Sequence, residues 1–217
     1  NDLHNLFAKQ RGKLAIAAMP SFAATKLAQV LAGFHQRYPN INVLVDDVVA
    51  ELVNDRVGSG RAELGITFKP DDLTDLDFVP LFKDRFVAVL PKHHPLAAEQ
   101  SLTLETITQF PLLLLQQPSS IRGMIERALE DNGLKANVEM EAHQLATLGT
   151  LVAAGLGISI VPTLYTEPML ALGAVCRPLT DPVIEREVGV IVRKNSPLSA
   201  AAQAMIEALI ELTADRQ

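Results

Sequence analysis

The chain has 217 residues, 48% hydrophobic and 20% charged, a globular balance with length for one large domain or two small ones. With 19 Lys+Arg against 25 Asp+Glu its formal net charge is -6, which argues against a chain that grips DNA or an anionic membrane by itself. A lone cysteine, Cys176, excludes an internal disulfide, and no CxxC or Cys/His cluster suggests structural zinc.

The polar start, "NDLHNLFAKQRGKL", has no signal-peptide core, and without an initiator Met the chain reads as a fragment or a processed product. Residues 13–18 are small and apolar and predict a strand. Beyond Pro20-Ser21, Leu27, Val30, Leu31 and Phe34 recur on one helical face, so a helix is predicted over 25–38, stopped by Pro39. Residues 41–48 read as a strand, 51–57 as a short helix ended by Gly58 and Gly60, and 63–68 as a third strand broken by Pro70. This alternation predicts an α/β fold with a mostly parallel sheet. "VPLFKDRFVAVLP" (79–91) breaks the rhythm with two strand-like runs and no helix between them. The pattern then restarts: strand 112–115, helix 121–132, strand 137–141, helix 145–154, strand 158–161, strand 187–192 and a terminal helix over 199–212. The longest apolar runs, such as "PLLLL" at 111–115, are too short to span a bilayer.

Two stretches echo each other. "IAAMPSF" and "LLLQQPSS" are each an apolar strand, a Pro-Ser turn and the start of an amphipathic helix. Ligands of open α/β sheets bind beyond the carboxyl ends of the strands. Ser21 therefore has two readings: a helix cap whose hydroxyl accepts an orphan N–H, or a contact to an anion or polar head at a helix N-terminus. The repetition at Ser119-Ser120 strengthens the ligand reading and suggests a hinged cleft protein.

No catalytic motif survives inspection, and neither a cofactor nor a metal is expected. "GSGRAELG" is not a GxSxG elbow. "AAGLG" (153–157) lacks the GxGxxG spacing and is followed by a strand, so Gly155 and Gly157 read as a C-cap and a close backbone approach. His93-His94 in "PKHHPL" have no third ligand at metal spacing and read as solvated loop histidines. His143, at a strand-to-helix junction, is either a ligand contact or a capping or surface residue. Asp46 and Asp47 fall on opposite faces of a strand and cannot form an acid/base couple. Arg85 either pairs with an acid at the surface or holds an anion. Arg122, in the first turn of a helix where the dipole disfavours a cation, implies either a bound anion or solvent exposure.

"GKLAIAAMPSFAATKLAQVLAGFHQRYPNINV", "GRAELGITF", "FVAVLPKHHPLA" and "LVAAGLGISIVP" resemble, in order and spacing, the effector-binding domain of LysR-type transcriptional regulators. "FxxxYP" before a strand and "VAAGxGIxxVP" are the more specific pieces, and the resemblance runs from about Gly12 to the terminal helix. It implies two Rossmann-like subdomains resembling type II periplasmic binding proteins, joined by a two-crossover hinge. On that pattern 1–11 is the end of a linker helix, 12–86 plus 187–217 one regulatory subdomain and 87–186 the other, while the winged helix-turn-helix is absent from this chain. A small effector, a small carboxylate or an aromatic acid, is expected between the subdomains. Carried over by position, its contacts are Pro20, Ser21, Phe22, Thr67 and Phe68 from one side and Pro118, Ser119 and Ser120 from the other, with His143 nearby. Arg85 and Gly157 are second-rank candidates. The resemblance further implies a homodimer through the regulatory domains, using helices 25–38 and 121–132, and a tetramer in the full-length protein. It also implies promoter DNA bound only through the missing N-terminal domain, RNA polymerase as a further partner, no membrane and a cytoplasmic location. A periplasmic solute-binding protein shares this fold and is the alternative. An enzyme on the fold would need a positioned acid/base or covalent residue, and Cys176 lies away from the expected cleft.

Overall fold

The computed structural model describes residues 11–214. The expected linker-helix end, up to residue 10, lies outside the described residues. The chain divides into two compact units, one holding the described residues up to Lys83 and those from Arg186 onward, the other Asp84–Glu185. The expected boundaries were after residues 86 and 186.

The first unit carries β1 (Gly12–Ala18), α1 (Pro20–Ala23), α2 (Leu27–Arg37), β2 (Ile41–Asp47), α3 (Ala50–Gly58), β3 (Leu64–Phe68) and the start of β4 (Leu76–Pro91). The second carries the rest of β4, then β5 (Leu102–Thr103), α4 (Leu104–Ile107), β6 (Leu112–Leu115), α5 (Ser120–Asp131), β7 (Val138–Ala142), α6 (Leu145–Ala153), β8 (Ser159–Pro162), α7 (Thr166–Ala171) and β9 (Ala174–Thr180). The chain returns to the first unit along β10 (Glu185–Arg193), which α8 (Ala200–Thr213) follows.

In the first unit β1 lies between β2 and β3 and is parallel to both, while β10 runs antiparallel to β3 from Val188↔Phe68 to Val192↔Leu64. The apolar side chains Leu14, Ile16, Leu64, Ile66, Val188 and Val190 are fully buried. α2 buries Leu27, Val30 and Phe34 and packs against α8. Burial of Phe34 contributes about 1.5–3 kcal/mol. Tyr38 closes α2 by donating its N–H to Phe34 O at 2.9 Å, and Pro39 prevents continuation.

Two expectations change here. The helix expected over 25–38 starts later, at Leu27, and an unpredicted short helix, α1, precedes it, because the chain turns at Ala24–Lys26, where the Thr25 hydroxyl donates to Ser21 O at 2.6 Å. The two runs over 79–91 are one strand, β4, because no turn residue separates them. Gly189 of β10 admits the start of β4: a Cβ there would lie 2.5 Å from the Phe78 ring and collide with the Val79 carbonyl.

In the second unit β7 pairs with β6 in parallel, and a parallel bridge from Leu112 to Ile158 joins β6 to the start of β8. β8 and β9 both run antiparallel to β4, at Val87↔Val161 and Val89↔Cys176, and β5 pairs with β9. Val87, Leu113, Leu148, Val152, Val161 and Met169 form the core beneath α6 and α7. The helix starts that follow β1 and β6 thus stand at the carboxyl ends of parallel strands, one in each unit.

Candidate functional site

In the first unit, Met19 N–H donates to Ile66 O at 3.0 Å and ties the end of β1 to β3. Residues 20–22 therefore follow the end of β1, and Thr67 and Phe68 are the last two residues of its neighbour β3. Pro20, exposed, is the first residue of α1, a position that suits its missing N–H. Ser21 is thus already inside the helix. The N-cap is Met19, with no side-chain cap, so the capping reading of Ser21 is corrected. The Ser21 side chain is 1% exposed and Thr67 is 0% exposed, and neither hydroxyl oxygen has a hydrogen-bond partner among the described residues. A buried unsatisfied hydroxyl costs about 1–3 kcal/mol, so two of them on adjacent strand ends are unusual in a structure that has nothing to gain from them. Phe22 and Phe68 are buried in the core and shape this end from within.

In the second unit, Ser119 is a true N-cap: its hydroxyl accepts the Arg122 N–H at 3.2 Å, and its carbonyl accepts Gly123 N–H at 2.8 Å. Pro118 is exposed before it, and Ser120 is the first residue of α5. Gln116 N–H donates to Ala142 O at 2.9 Å, which places the turn after β6 beside the end of β7. His143, exposed, follows that strand, so residues 116–120 and His143 share one end of the unit. Gly157 does not join them. A Cβ on it would lie 2.7 Å from Pro111 O, at the amino end of β6, so Gly157 serves a close backbone approach. Arg85 takes the surface-pair reading, its Nε 2.9 Å from Glu185 Oε2 with a side chain 69% exposed.

Arg122 answers neither of its two expectations. It is 9% exposed, and its guanidinium donates to Glu126 at 2.7 Å, Glu141 at 2.6 Å and Leu115 O at 2.8 Å. Burial works against its charge, but the bonds to Glu141 and Glu126 prevail and hold its pKa above the usual arginine value. The Arg–Glu spacing of four residues was the signal in the sequence. His94 is likewise no free loop histidine: its Nδ1 accepts Leu96 N–H at 3.1 Å, its ring meets Phe110 edge-on, and burial lowers its pKa. Burial pushes the Cys176 thiol up to about 11, which leaves it a poor nucleophile. Among the described residues no helix is long and apolar enough to cross a membrane.

Residues 8–214 match the family model described as the LysR substrate binding domain. The HTH-type transcriptional regulator YfeR of Shigella flexneri is 32% identical over 194 residues, which cover 89% of this chain and 63% of that protein, so the chain spans less than two thirds of that relative's length. Among solved structures, the effector-binding domain of QuiR in complex with shikimate superposes with a TM-score of 0.85 at 17% identity, covering 95% of this chain and 99% of that one. The CcmR regulatory domain of Synechocystis PCC6803 in complex with 2-PG gives 0.85 at 20% identity, covering 94% and 98%. These neighbours carry the type II periplasmic-binding-protein-like fold. With the family model covering nearly all of its length, the chain belongs to the LysR substrate-binding-domain family and is the effector-binding domain of a LysR-type transcriptional regulator.

Proposed function

We propose that this domain holds one small polar or anionic effector, with Ser21 and Thr67 as hydroxyl contacts from the first unit and Pro118–Ser120, with His143, from the second. The observation that carries the reading is the pair of buried, unpartnered hydroxyls at the carboxyl ends of β1 and β3. Each can donate to a carboxylate, hydroxyl or phosphate oxygen, which would remove its desolvation cost on binding. The second unit's share is supported by the matched Pro-Ser junction and by the family pattern. The complexes named for QuiR and CcmR hold shikimate and 2-PG, which supports a small polar effector here too. Arg85 and Gly157 fall outside this set.

In the whole regulator, effector binding would bias a hinge along β4 and β10 and alter how paired subunits sit on promoter DNA. DNA contacts would come from an N-terminal winged helix-turn-helix, consistent with the net charge of -6 of this part. The dimer would use the exposed face of α2, including Ala28, Ala32 and His35, against α5 of a second copy. A full-length tetramer, contact with RNA polymerase and a cytoplasmic location belong to the same reading. The relatives named as transcriptional regulators weigh against both the solute-binding alternative and an enzyme.

The test is titration calorimetry with a panel of small carboxylates, aromatic acids and phosphorylated acids, beside thermal melting. A true effector at a hundredfold excess over its Kd stabilises the fold by about 2.7 kcal/mol. A Ser21→Ala/Thr67→Val protein that binds the same compound with unchanged affinity would refute the assignment of these hydroxyls. Light scattering checks the dimer, and a monomer at high micromolar concentration would count against it.

A further inference from the structure

We propose that Arg122 is the positioning residue of the second unit's effector-contact turn, and that it keeps residues 116–119 preorganised in the free protein. This rests on the preceding reading for the turn's purpose, but the geometry stands without it. Residue 122 meets the turn at both ends, through its guanidinium at one and through its main-chain N–H at the other, and only the first depends on arginine. Its Nη1 donates to the carbonyl of Leu115, the last residue of β6, at 2.8 Å. Its own backbone N–H donates to the hydroxyl of Ser119, where the turn enters α5, at 3.2 Å. Between these anchors lie only Gln116, Gln117 and Pro118.

The same guanidinium reaches a third element. Nη1 also donates to Glu141 on β7 at 2.6 Å, two residues before His143. The two contact segments of this unit are therefore fixed to one group. Nε donates to Glu126, one turn along α5, at 2.7 Å, which sets the long side chain in a single direction. Only a planar guanidinium can serve a carbonyl and two carboxylates together in this way. A lysine ammonium is a compact charge without that fork.

Two consequences follow. Because Glu126 and Glu141 together more than match its charge, Arg122 is not the cation that receives an anionic effector. A displacement of the turn by an effector is transmitted to α5 at its third residue, the helix assigned above to the dimer contact. Arg122 thus joins the place where an effector binds to the place where a second copy would feel it.

The experiment is amide hydrogen exchange on the free chain, wild type against Arg122→Gln and Arg122→Lys. Loss of hydrogen bonds to a charged group should raise exchange of the amides at 116–123 about tenfold to hundredfold in Arg122→Gln. Arg122→Lys, which keeps the charge but not the fork, should fall between the two. Amides of α6 and of β1 and β3 should stay within about twofold of wild type. Exchange at 116–123 that matches wild type in both variants overturns the proposal. So does a rise of the same size in α6, which would make Arg122 a support of the whole unit. If Arg122→Gln fails to fold, the lysine variant alone decides on the same criteria. A failed effector screen strikes the binding assignment and leaves the exchange result standing, whereas unchanged exchange strikes only the role of Arg122.

Discussion

The two Pro-Ser junctions are nearly the same in sequence and opposite in structure. After β6, Pro118 precedes the helix and Ser119 caps it, with its hydroxyl taken by the Arg122 N–H. After β1, Pro20 is itself the first helical residue, Met19 holds the cap position, and Ser21 lies two places beyond it. Its hydroxyl is buried without a partner, as is that of Thr67 on the neighbouring strand. A shift of two residues in where the helix begins thus divides the work. One serine satisfies the fold, and the other stays unsatisfied at a strand end, a cost that a bound effector would relieve.

The sharpest way to break this comparison is Ser21→Ala. Effector affinity should drop about tenfold to hundredfold, the worth of one hydrogen bond to a charged group, by calorimetric titration. Stability should not fall, and a gain of up to about 1 kcal/mol is expected in denaturant unfolding, because an unsatisfied buried oxygen is removed. A clear loss of stability with intact affinity would return Ser21 to a capping role. Thr67→Val keeps the shape and removes the hydroxyl, and should show the same pattern of weakened binding without destabilisation.

Ser119→Ala should behave in the opposite sense. Its expected cost is about 0.5–2 kcal/mol of stability, read by denaturant unfolding, because an N-cap is lost. If instead this variant is fully stable, the difference between the two junctions disappears. The smallest effect is a control. Ser159 on β8 is also fully buried with an unpartnered hydroxyl, but it is the first residue of its strand, at the amino end and not the carboxyl end. Ser159→Ala should raise stability by up to about 1 kcal/mol and leave effector affinity unchanged. An affinity loss there would show that buried hydroxyls in this fold affect binding indirectly, and would weaken the case for Ser21.

The main run of elements was legible, although the short α1, β5, α4 and α7 were not. β1, α3, β6, α5 and α6 lie within a residue or two of where periodicity and Gly/Pro punctuation put them, because those signals act between near neighbours in the chain. The family motifs were legible for a related reason, since they are contiguous and keep their spacing. The position of the candidate residues at the carboxyl ends of β1 and β3 in one unit and of β6 in the other was legible, and their roles less so. Ser21 and Ser119 looked equivalent, Gly157 was read as a close backbone approach and only secondarily as a contact, and Arg122 was left between a bound anion and solvent exposure.

The α/β class, the longer elements in their order and the family could be read from the chain alone, since all rest on contacts or patterns a few residues long. The tertiary structure alone decided which hydroxyls lack a partner and which charges have one. Arg122 meets Glu141 across a separation of 19 residues, and Arg85 meets Glu185 across one of 100. Thr67 is buried at the end of β3 without a partner for its hydroxyl, and Gly189, on β10, leaves room for Phe78 and Val79 at the start of β4. Burial and pairing are set by what lies across the fold, and local periodicity carries no record of that.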